Sequence, residues 1–205
     1  MVDAVFFGPD TYRFVAAIEQ AVRAHGLSWR RAVDIGCGTG AAGIILARMD
    51  PAAAMLMTDI NPVALRLSAI NAALARTPNV TVCRSSLLDD VDGVFDLIVA
   101  NPPYLLDPEK RLYRHGGGAH GEGLSLAILD TALARLGPGG TLLLYSGAAI
   151  VNGTDPLEQA IASRLAGGTH RWCYRELDPD VFGEELAHSD ADRIAAVILM
   201  LTKAL

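Results

Sequence analysis

A repeated alternation of short apolar runs, turns and helical patterns constrains the fold of this chain most strongly. The apolar runs lie at residues 32–35, 54–59, 80–83, 95–100 and 141–145. They are apolar almost throughout rather than alternating with polar residues, which is typical of strands that are covered on both faces. Because helical patterns separate these runs, we predict right-handed crossovers and a doubly wound, mostly parallel sheet in an α/β fold.

The helical patterns and the later apolar runs complete this organisation. Helices are predicted at residues 10–25, 41–49, 62–76, 126–136 and 157–165. A glycine-rich turn at 137–140 is predicted to close the fourth helix, and an acidic loop separates two late strands at 170–176 and 194–201. Open α/β sheets bind ligands outside the carboxyl ends of their strands, so we expect the functional residues just after the early strands.

Composition excludes several classes of protein. Hydrophobic residues make up 51% and charged residues 20%, which excludes a disordered chain. Seventeen basic and 23 acidic residues give a net charge of −6, which disfavours a strongly electrostatic nucleic-acid binder but leaves a local basic patch open. Cys37, Cys83 and Cys173 form no C-x-x-C pair, which argues against a disulfide framework and a zinc site. With no signal peptide or membrane span recognised, we expect a cytoplasmic protein without a metal.

A glycine-rich turn follows the first strand, and its acidic neighbour indicates which ligand it binds. Gly38, Gly40 and Gly43 fit a G-x-G-x-x-G pattern, with Asp59 about 20 residues further on, as in dinucleotide sites. Asp34 at the mouth of the turn would repel a pyrophosphate and therefore disfavours an NAD-dependent oxidoreductase. It suits S-adenosylmethionine, which carries an ammonium and a sulfonium group and no phosphate. Asp59 can then accept hydrogen bonds from two ribose hydroxyls.

The N-P-P-Y turn, residues 101–104, directly follows the fourth strand and is the most specific motif in the chain. A planar amide or exocyclic amine nitrogen is a poor nucleophile, so its two N–H groups must be bound by acceptors. The side-chain oxygen of Asn101 and the carbonyl of Pro102 can be those acceptors, and the proline pair fixes the backbone that presents them. Pro103 and Tyr104 are predicted to contact the substrate, with Tyr104 stacking on the planar group.

These motifs resemble those of known methyltransferases. Five positions match the cofactor-binding pattern of class I S-adenosylmethionine-dependent methyltransferases, namely Asp34, Gly36, Gly38, Gly40 and Asp59. The N-P-P-Y turn resembles that of the release-factor glutamine methyltransferases within the small-domain superfamily. The segment 7–12 is similar to the amino-terminal Asp-Thr element of that group, which lies over the cofactor. The resemblance implies a Rossmann-like methyltransferase fold of seven strands, with a final antiparallel strand.

The resemblance also implies roles for individual residues. Catalysis is assigned to Asn101, Pro102 and Tyr104. Cofactor contacts are expected from Thr11, Asp34, Gly36, Cys37, Gly38, Gly40, Asp59, Ile60, Ser86, Leu87 and Asn101. We interpret residues 1–205 as a single domain, with a helical lead-in (1–30), a cofactor and catalytic core (31–150) and a carboxyl-terminal helix with two strands (151–205). Because only about thirty residues precede the first strand, the chain is similar to single-domain relatives, some of which need a small activating partner.

Three hypotheses about function follow from these motifs. The first is transfer of a methyl group to a planar nitrogen, most simply a glutamine side-chain amide of a protein such as a release factor. The second moves the target to an exocyclic amine of guanine or adenine in RNA or DNA. The third is a cofactor-binding partner subunit without catalysis, against which the intact Asn101 and Tyr104 argue. The glycine-rich loop 107–123 is predicted to be a lid, with Lys110, Arg111 and Arg114 able to contact an acidic partner.

Overall fold

The fold is a seven-stranded sheet covered by helices on both faces. A computed structural model describes residues 4–111, 113–183, 186 and 190–205. The strands of this part of the chain are β1 (Arg31–Ile35), β2 (Ala54–Asp59), β3 (Val80–Arg84), β4 (Phe95–Ala100), β5 (Leu136–Ile150), β6 (Arg171–Asp178) and β7 (Arg193–Thr202). The helices are α1 (Pro9–His25), α2 (Ala41–Met49), α3 (Pro62–Leu74), α4 (Gly123–Arg135) and α5 (Pro156–Leu165).

The strand order is β3-β2-β1-β4-β5-β7-β6, which confirms the predicted doubly wound sheet. The first five strands are parallel, and β7 lies antiparallel between β5 and β6. The order reverses beside β1, whose last residue, Ile35, pairs with Thr58 of β2 and Ala100 of β4. The carboxyl ends of these three strands therefore lie side by side, where an open α/β sheet binds its ligand.

Two hydrophobic clusters, one on each face of the sheet, form the core. Successive residues of β1 point to opposite faces, so Ala32 belongs to one cluster and Val33 to the other. The first cluster includes Phe14 and Ile18 of α1, and the second includes Leu129 of α4. Because both faces are covered, the strands read as continuous apolar runs, as the sequence predicted.

The boundaries of α4 and β5 differ from the prediction. The helix predicted at 126–136 begins three residues earlier and ends at Arg135, and residues 137–140 lie within β5 rather than in a closing turn. The strand predicted at 141–145 continues to Ile150. The reason is tertiary, since β7 pairs with β5 along the whole stretch from Thr141 to Ile150 and bonds its backbone. Within the described ranges, none of the helices has the length and hydrophobicity needed to cross a bilayer.

Candidate active site

A cavity of about 470 Å³ lies over the carboxyl ends of β1, β2 and β4. This volume is within the range of small-molecule and cofactor sites. The cavity brings together almost every residue that the sequence assigned to the site, namely Thr11, Asp34, Gly36, Cys37, Gly38, Asp59, Ile60, Ser86, Leu87, Asn101, Pro102, Pro103 and Tyr104. Gly40 is absent from the lining, because it is buried beneath the turn as the residue preceding α2.

At three alternate positions of the glycine-rich turn, the backbone has a conformation that only glycine adopts without strain. Gly36, Gly38 and Gly40 have φ angles of 71°, 55° and 83°, which lie in the left-handed region. The N–H groups of Gly36 and Cys37 donate to the Thr58 carbonyl at 2.8 and 2.9 Å, so the turn is bound to the end of β2. A Cβ atom at Gly36 would have no atom of the described residues within 4 Å, so open space lies above the turn.

Asp34 is a buried carboxylate at the base of the cavity. Its exposed fraction is 2%, and its Oδ2 accepts a hydrogen bond from the Gly43 N–H at 3.1 Å. Burial raises the pKa of Asp34 to about 7, and the nearby charge of Asp59 contributes in the same direction. A cation in the cavity would favour the ionised form, so this carboxylate is suited to a positively charged ligand.

Asp59 is held in a fixed orientation at the end of β2. Its Oδ2 accepts from the Gly38 N–H at 3.0 Å, and its Oδ1 accepts from the Asn61 N–H at 2.8 Å. An ionised carboxylate has about four acceptor sites, so each oxygen can accept a further hydrogen bond from a ligand hydroxyl. Next to it, the side chain of Ile60 is 46% exposed and lines the cavity.

The N-P-P-Y turn places an unsatisfied acceptor in the same cavity. The Asn101 Oδ1 atom is buried, and no donor among the described residues hydrogen-bonds to it. A buried polar atom without a hydrogen-bond partner lowers the stability of a folded protein by about 1–3 kcal/mol, so an unpaired acceptor at this position requires an explanation. Asn101 lines the cavity together with Pro102, which is buried. The simplest explanation is a donor on a ligand that enters the cavity.

Tyr104 lines the cavity with a ring that is fixed by its surroundings. Its hydroxyl donates to Asp10 Oδ2, and the ring packs edge-on against Phe182 with the centroids 6.0 Å apart. A Cβ atom built on Gly147 would lie 2.2 Å from the ring, so the close approach requires glycine there. Stacking of Tyr104 on a planar substrate group stays a prediction.

The sequence did not single out several residues that surround Tyr104. Asp10 belongs to the segment 7–12 but was assigned no role, although it accepts hydrogen bonds from two tyrosines, Tyr104 and Tyr145. Its position next to Thr11 in that segment was the sequence feature that could have indicated a role in the site. Phe182 lies in the acidic loop between β6 and β7, where nothing in the local pattern indicates a cavity residue.

The loop 107–123 differs from the prediction in the role of one arginine. Arg111 is engaged within the loop, because its Nε and its backbone N–H both donate to Asp107 Oδ2, at 2.9 and 2.7 Å. This pair lowers the pKa of the Asp107 carboxyl. The guanidinium therefore shapes the loop rather than standing ready for a partner. Arg114 lines the cavity, while Lys110 is exposed. Closure of the loop as a lid stays a prediction, and Leu112 lies outside the described residues.

Comparison with known proteins assigns the chain to a family. Residues 15–150, well over half of the chain, match the model of the methyltransferase small domain. The chain therefore belongs to the methyltransferase small domain family. A methyltransferase from Pyrococcus furiosus has a similar fold, with a TM-score of 0.63 at 19% identity over 98% of this chain and 89% of that one.

Two relatives differ in the acceptor that their names state. The chain is 40% identical to the release factor glutamine methyltransferase of Deinococcus radiodurans, over 76% of this chain and 55% of the relative. It is 36% identical to a tRNA1(Val) (adenine(37)-N6)-methyltransferase of Aeromonas hydrophila, over 53% of this chain and 49% of that relative. The chain thus spans about half the length of the curated relatives it matches.

Proposed function

We propose that this chain is an S-adenosylmethionine-dependent N-methyltransferase that acts on the side-chain amide of a glutamine in a protein such as a release factor. The observation that carries the proposal is the buried, unsatisfied Asn101 Oδ1 in the cavity that also contains Asp34 and Asp59. A primary amide would supply to this atom the N–H donor that the described residues do not supply. The 40% identity to a release factor glutamine methyltransferase supports the choice of acceptor.

The residues of the cavity fit S-adenosylmethionine. The buried Asp34 carboxylate would bind the positively charged ammonium group of the cofactor. That positive charge would offset the cost of burying the carboxylate. The open space above Gly36 leaves the backbone accessible, and the oriented Asp59 carboxylate would accept from the ribose hydroxyls. Ile60, Ser86 and Leu87 would form the adenine side of the cavity. When bound, the cofactor supplies an electrophilic methyl group on a sulfonium.

The N-P-P-Y turn would orient the acceptor nitrogen. Asn101 Oδ1 and the Pro102 carbonyl would accept the two N–H groups, which increases electron density on the nitrogen and aims its lone pair into the cavity. Two consecutive prolines fix φ and keep both acceptors in place. Positioning of this kind can lower a barrier by about 7–11 kcal/mol. Methyl transfer leaves a surplus proton on the nitrogen, which would pass to solvent water. The turn would therefore act by orientation and hydrogen bonding rather than as a general base.

Substitution of Asn101 tests this function. Asn101→Ala is expected to lower kcat on a purified bacterial release factor by at least ~10²-fold, by analogy with the loss of one preorganised polar contact in an active site. The affinity for S-adenosylhomocysteine, measured by calorimetry, should stay within about threefold, because the cofactor contacts assigned to Asp34, Asp59 and the glycine-rich turn are intact. Full turnover by the variant would contradict the proposal.

A matched control is available in Asn79. Its amide donates to the carbonyls of Ala47, Asp50 and Ala53 at 3.0–3.2 Å, and it does not line the cavity. Asn79→Ala should therefore cost stability and leave kcat within about twofold at a temperature where the variant is folded. Equal losses of kcat in the two variants would mean that the Asn101 effect is a loss of folding.

The second candidate acceptor is an exocyclic base amine in RNA. The 36% identity to the tRNA adenine N6-methyltransferase favours it, and the N-P-P-Y turn suits any planar NH2 group. Labelled S-adenosylmethionine added to a cell extract with the protein separates the two acceptors. Label that is sensitive to protease and resistant to nuclease supports the glutamine acceptor, whereas the converse supports RNA. Cofactor binding without any labelling would support a non-catalytic partner subunit.

A further inference from the structure

One buried carboxylate connects the amino-terminal helix with the wall of the acceptor site. Asp10 is 4% exposed and lies in the first turn of α1. Its Oδ2 accepts from the Tyr104 hydroxyl, and its Oδ1 accepts from the Tyr145 hydroxyl at 2.9 Å. Arg13 lies 3.4 Å from Oδ1 and donates to Asp178 at 2.6 Å. One side chain of α1 therefore meets the N-P-P-Y turn and β5, and Arg13 connects it with β6.

The two tyrosines of this group are the hydrogen-bond donors, and the carboxylate is the acceptor. Burial, followed by the adjacent charge of Asp10, raises the pKa of both Tyr104 and Tyr145. Both hydroxyls therefore keep the protons that they donate to Asp10. The carboxylate accepts from both, and the Arg13 guanidinium lies between it and the Asp178 carboxylate. The hydrogen bond between Tyr104 and Asp10 is thus charge-assisted, a kind that is stronger than a neutral one.

The Tyr104 ring is restrained on three sides. The Asp10 carboxylate holds its hydroxyl, Gly147 lies against the ring with no room for a Cβ atom, and Phe182 packs against its edge. Phe182 itself has a φ of 55°, a left-handed conformation that is unfavourable for a bulky residue. Phe182 lines the same cavity as Tyr104, and the surrounding structure holds it in this unfavourable conformation.

We propose that Asp10 is a positioning residue for the acceptor. This inference rests on the proposed function. Asp10 holds the Tyr104 ring in a fixed position beside Asn101, and so determines the width of the space between them that admits the planar group of the acceptor. Asp10 acts through Tyr104 rather than through the cofactor. Its removal should therefore weaken the acceptor's interaction and leave cofactor affinity intact, a separation that a purely structural anchor of α1 would not produce.

A double-mutant cycle with Tyr104→Phe and Asp10→Asn tests this inference. With a purified bacterial release factor as acceptor, each single variant is expected to raise the acceptor KM about tenfold, as for the loss of one hydrogen bond to a charged group. The double variant should be no worse than the worse single variant, because both remove the same restraint. The dissociation constant of S-adenosylhomocysteine should stay within about twofold.

A second variant keeps the test decisive if Asp10→Asn folds poorly. Gly147→Ala leaves Asp10 in place but drives a methyl group into the Tyr104 ring, so it should raise the acceptor KM by a similar factor and leave cofactor affinity unchanged. The matched control is Tyr174→Phe, which removes another tyrosine-to-aspartate hydrogen bond, 2.7 Å long and outside the cavity. Tyr174→Phe should leave the acceptor KM unchanged.

The outcomes separate this inference from the proposed function. A wild-type protein that does not methylate the release factor would overturn the proposed function, and the inference with it. An active wild-type protein for which the losses of the single variants multiply in the double variant overturns the inference alone. So does an Asp10→Asn variant whose cofactor affinity falls as much as its acceptor KM rises, because Asp10 then acts as a general structural anchor.

Discussion

At the scale of single residues, two groups in the site reduce the stability of the folded protein, and a bound ligand would stabilise both. None of the described residues donates a hydrogen bond to the buried Asn101 Oδ1, and the Asp34 carboxylate lies in surroundings that disfavour its charge. For an aspartate whose folded pKa lies above its unfolded value, the folded state becomes less stable as pH rises from about 4 to about 7. The Asp34 carboxyl is therefore only partly ionised at neutral pH, and a bound cation would favour its charged form.

The charge of Asp34 predicts a pH dependence of cofactor binding. Because the pKa of Asp34 is about 7 and a bound ammonium group favours the ionised form, affinity for S-adenosylhomocysteine is expected to fall as pH drops below 7. The dissociation constant should rise by up to about tenfold per pH unit, measured by calorimetry between pH 8 and 5.5. Asp34→Asn is the control, and its affinity should be low and flat over the same range. An equal slope in both proteins would remove Asp34 from the cofactor site.

At the scale of elements, the last residue of α4 supports the loop that carries Ser86 and Leu87 into the cavity. The Arg135 guanidinium donates to the carbonyls of Leu88 and Gly93, each at 2.9 Å, and to that of Val91. These carbonyls belong to the loop after β3, which also contains Ser86 and Leu87. A rigid guanidinium can bond several carbonyls at once, which a lysine ammonium does less well. The helix thus fixes a loop that lines the cavity.

Arg135→Ala is expected to destabilise the protein by about 1–3 kcal/mol, because it removes hydrogen bonds from three carbonyls of one loop. The control is Arg164→Ala, which removes a more exposed ion pair with Asp130 and should cost about 0–1 kcal/mol. Urea denaturation of both variants measures the free energies of unfolding. Equal costs for the two variants would show that the loop is held by other contacts.

At the scale of the whole molecule, charge bears on the nature of the acceptor. The chain has a net charge of −6, and proteins that bind nucleic acid by its phosphates release counterions and lose affinity steeply with salt. The cavity lies at the carboxyl ends of the parallel strands, between the amino-terminal segment, the N-P-P-Y turn and the loop that contains Phe182. The net charge therefore favours an acceptor selected by shape and local hydrogen bonds over one bound through its phosphates.

The salt dependence of acceptor binding is expected to be shallow. Between 50 and 200 mM salt, the KM for the release factor should change by less than about tenfold, whereas a protein with 6–10 phosphate contacts loses about 10³–10⁵ in affinity. Steady-state kinetics over this range measure the effect. A steep loss with salt, together with labelling of RNA in the extract, would favour the nucleic-acid candidate over the glutamine acceptor.

The sequence by itself determined the parts of this protein that depend on neighbouring residues in the chain. Continuous apolar runs predicted the strands because both faces of a doubly wound sheet are covered. The glycines after β1 predicted a ligand-binding turn, whose left-handed φ angles the structure shows. The strand order then brought the residues after β1, β2 and β4 together at the carboxyl ends of the strands. The N-P-P-Y turn was recognisable because an amide residue precedes two prolines and an aromatic residue follows them, directly after a strand.

Only the tertiary structure decided what surrounds the N-P-P-Y turn. Tyr104 and Tyr145 lie 94 and 135 residues from Asp10 along the chain, and no local pattern encodes that meeting. The length of β5 likewise depends on β7, which pairs with it from the far end of the chain. Local patterns record backbone preference and burial, whereas a shared carboxylate and an unsatisfied acceptor arise only when distant elements pack together.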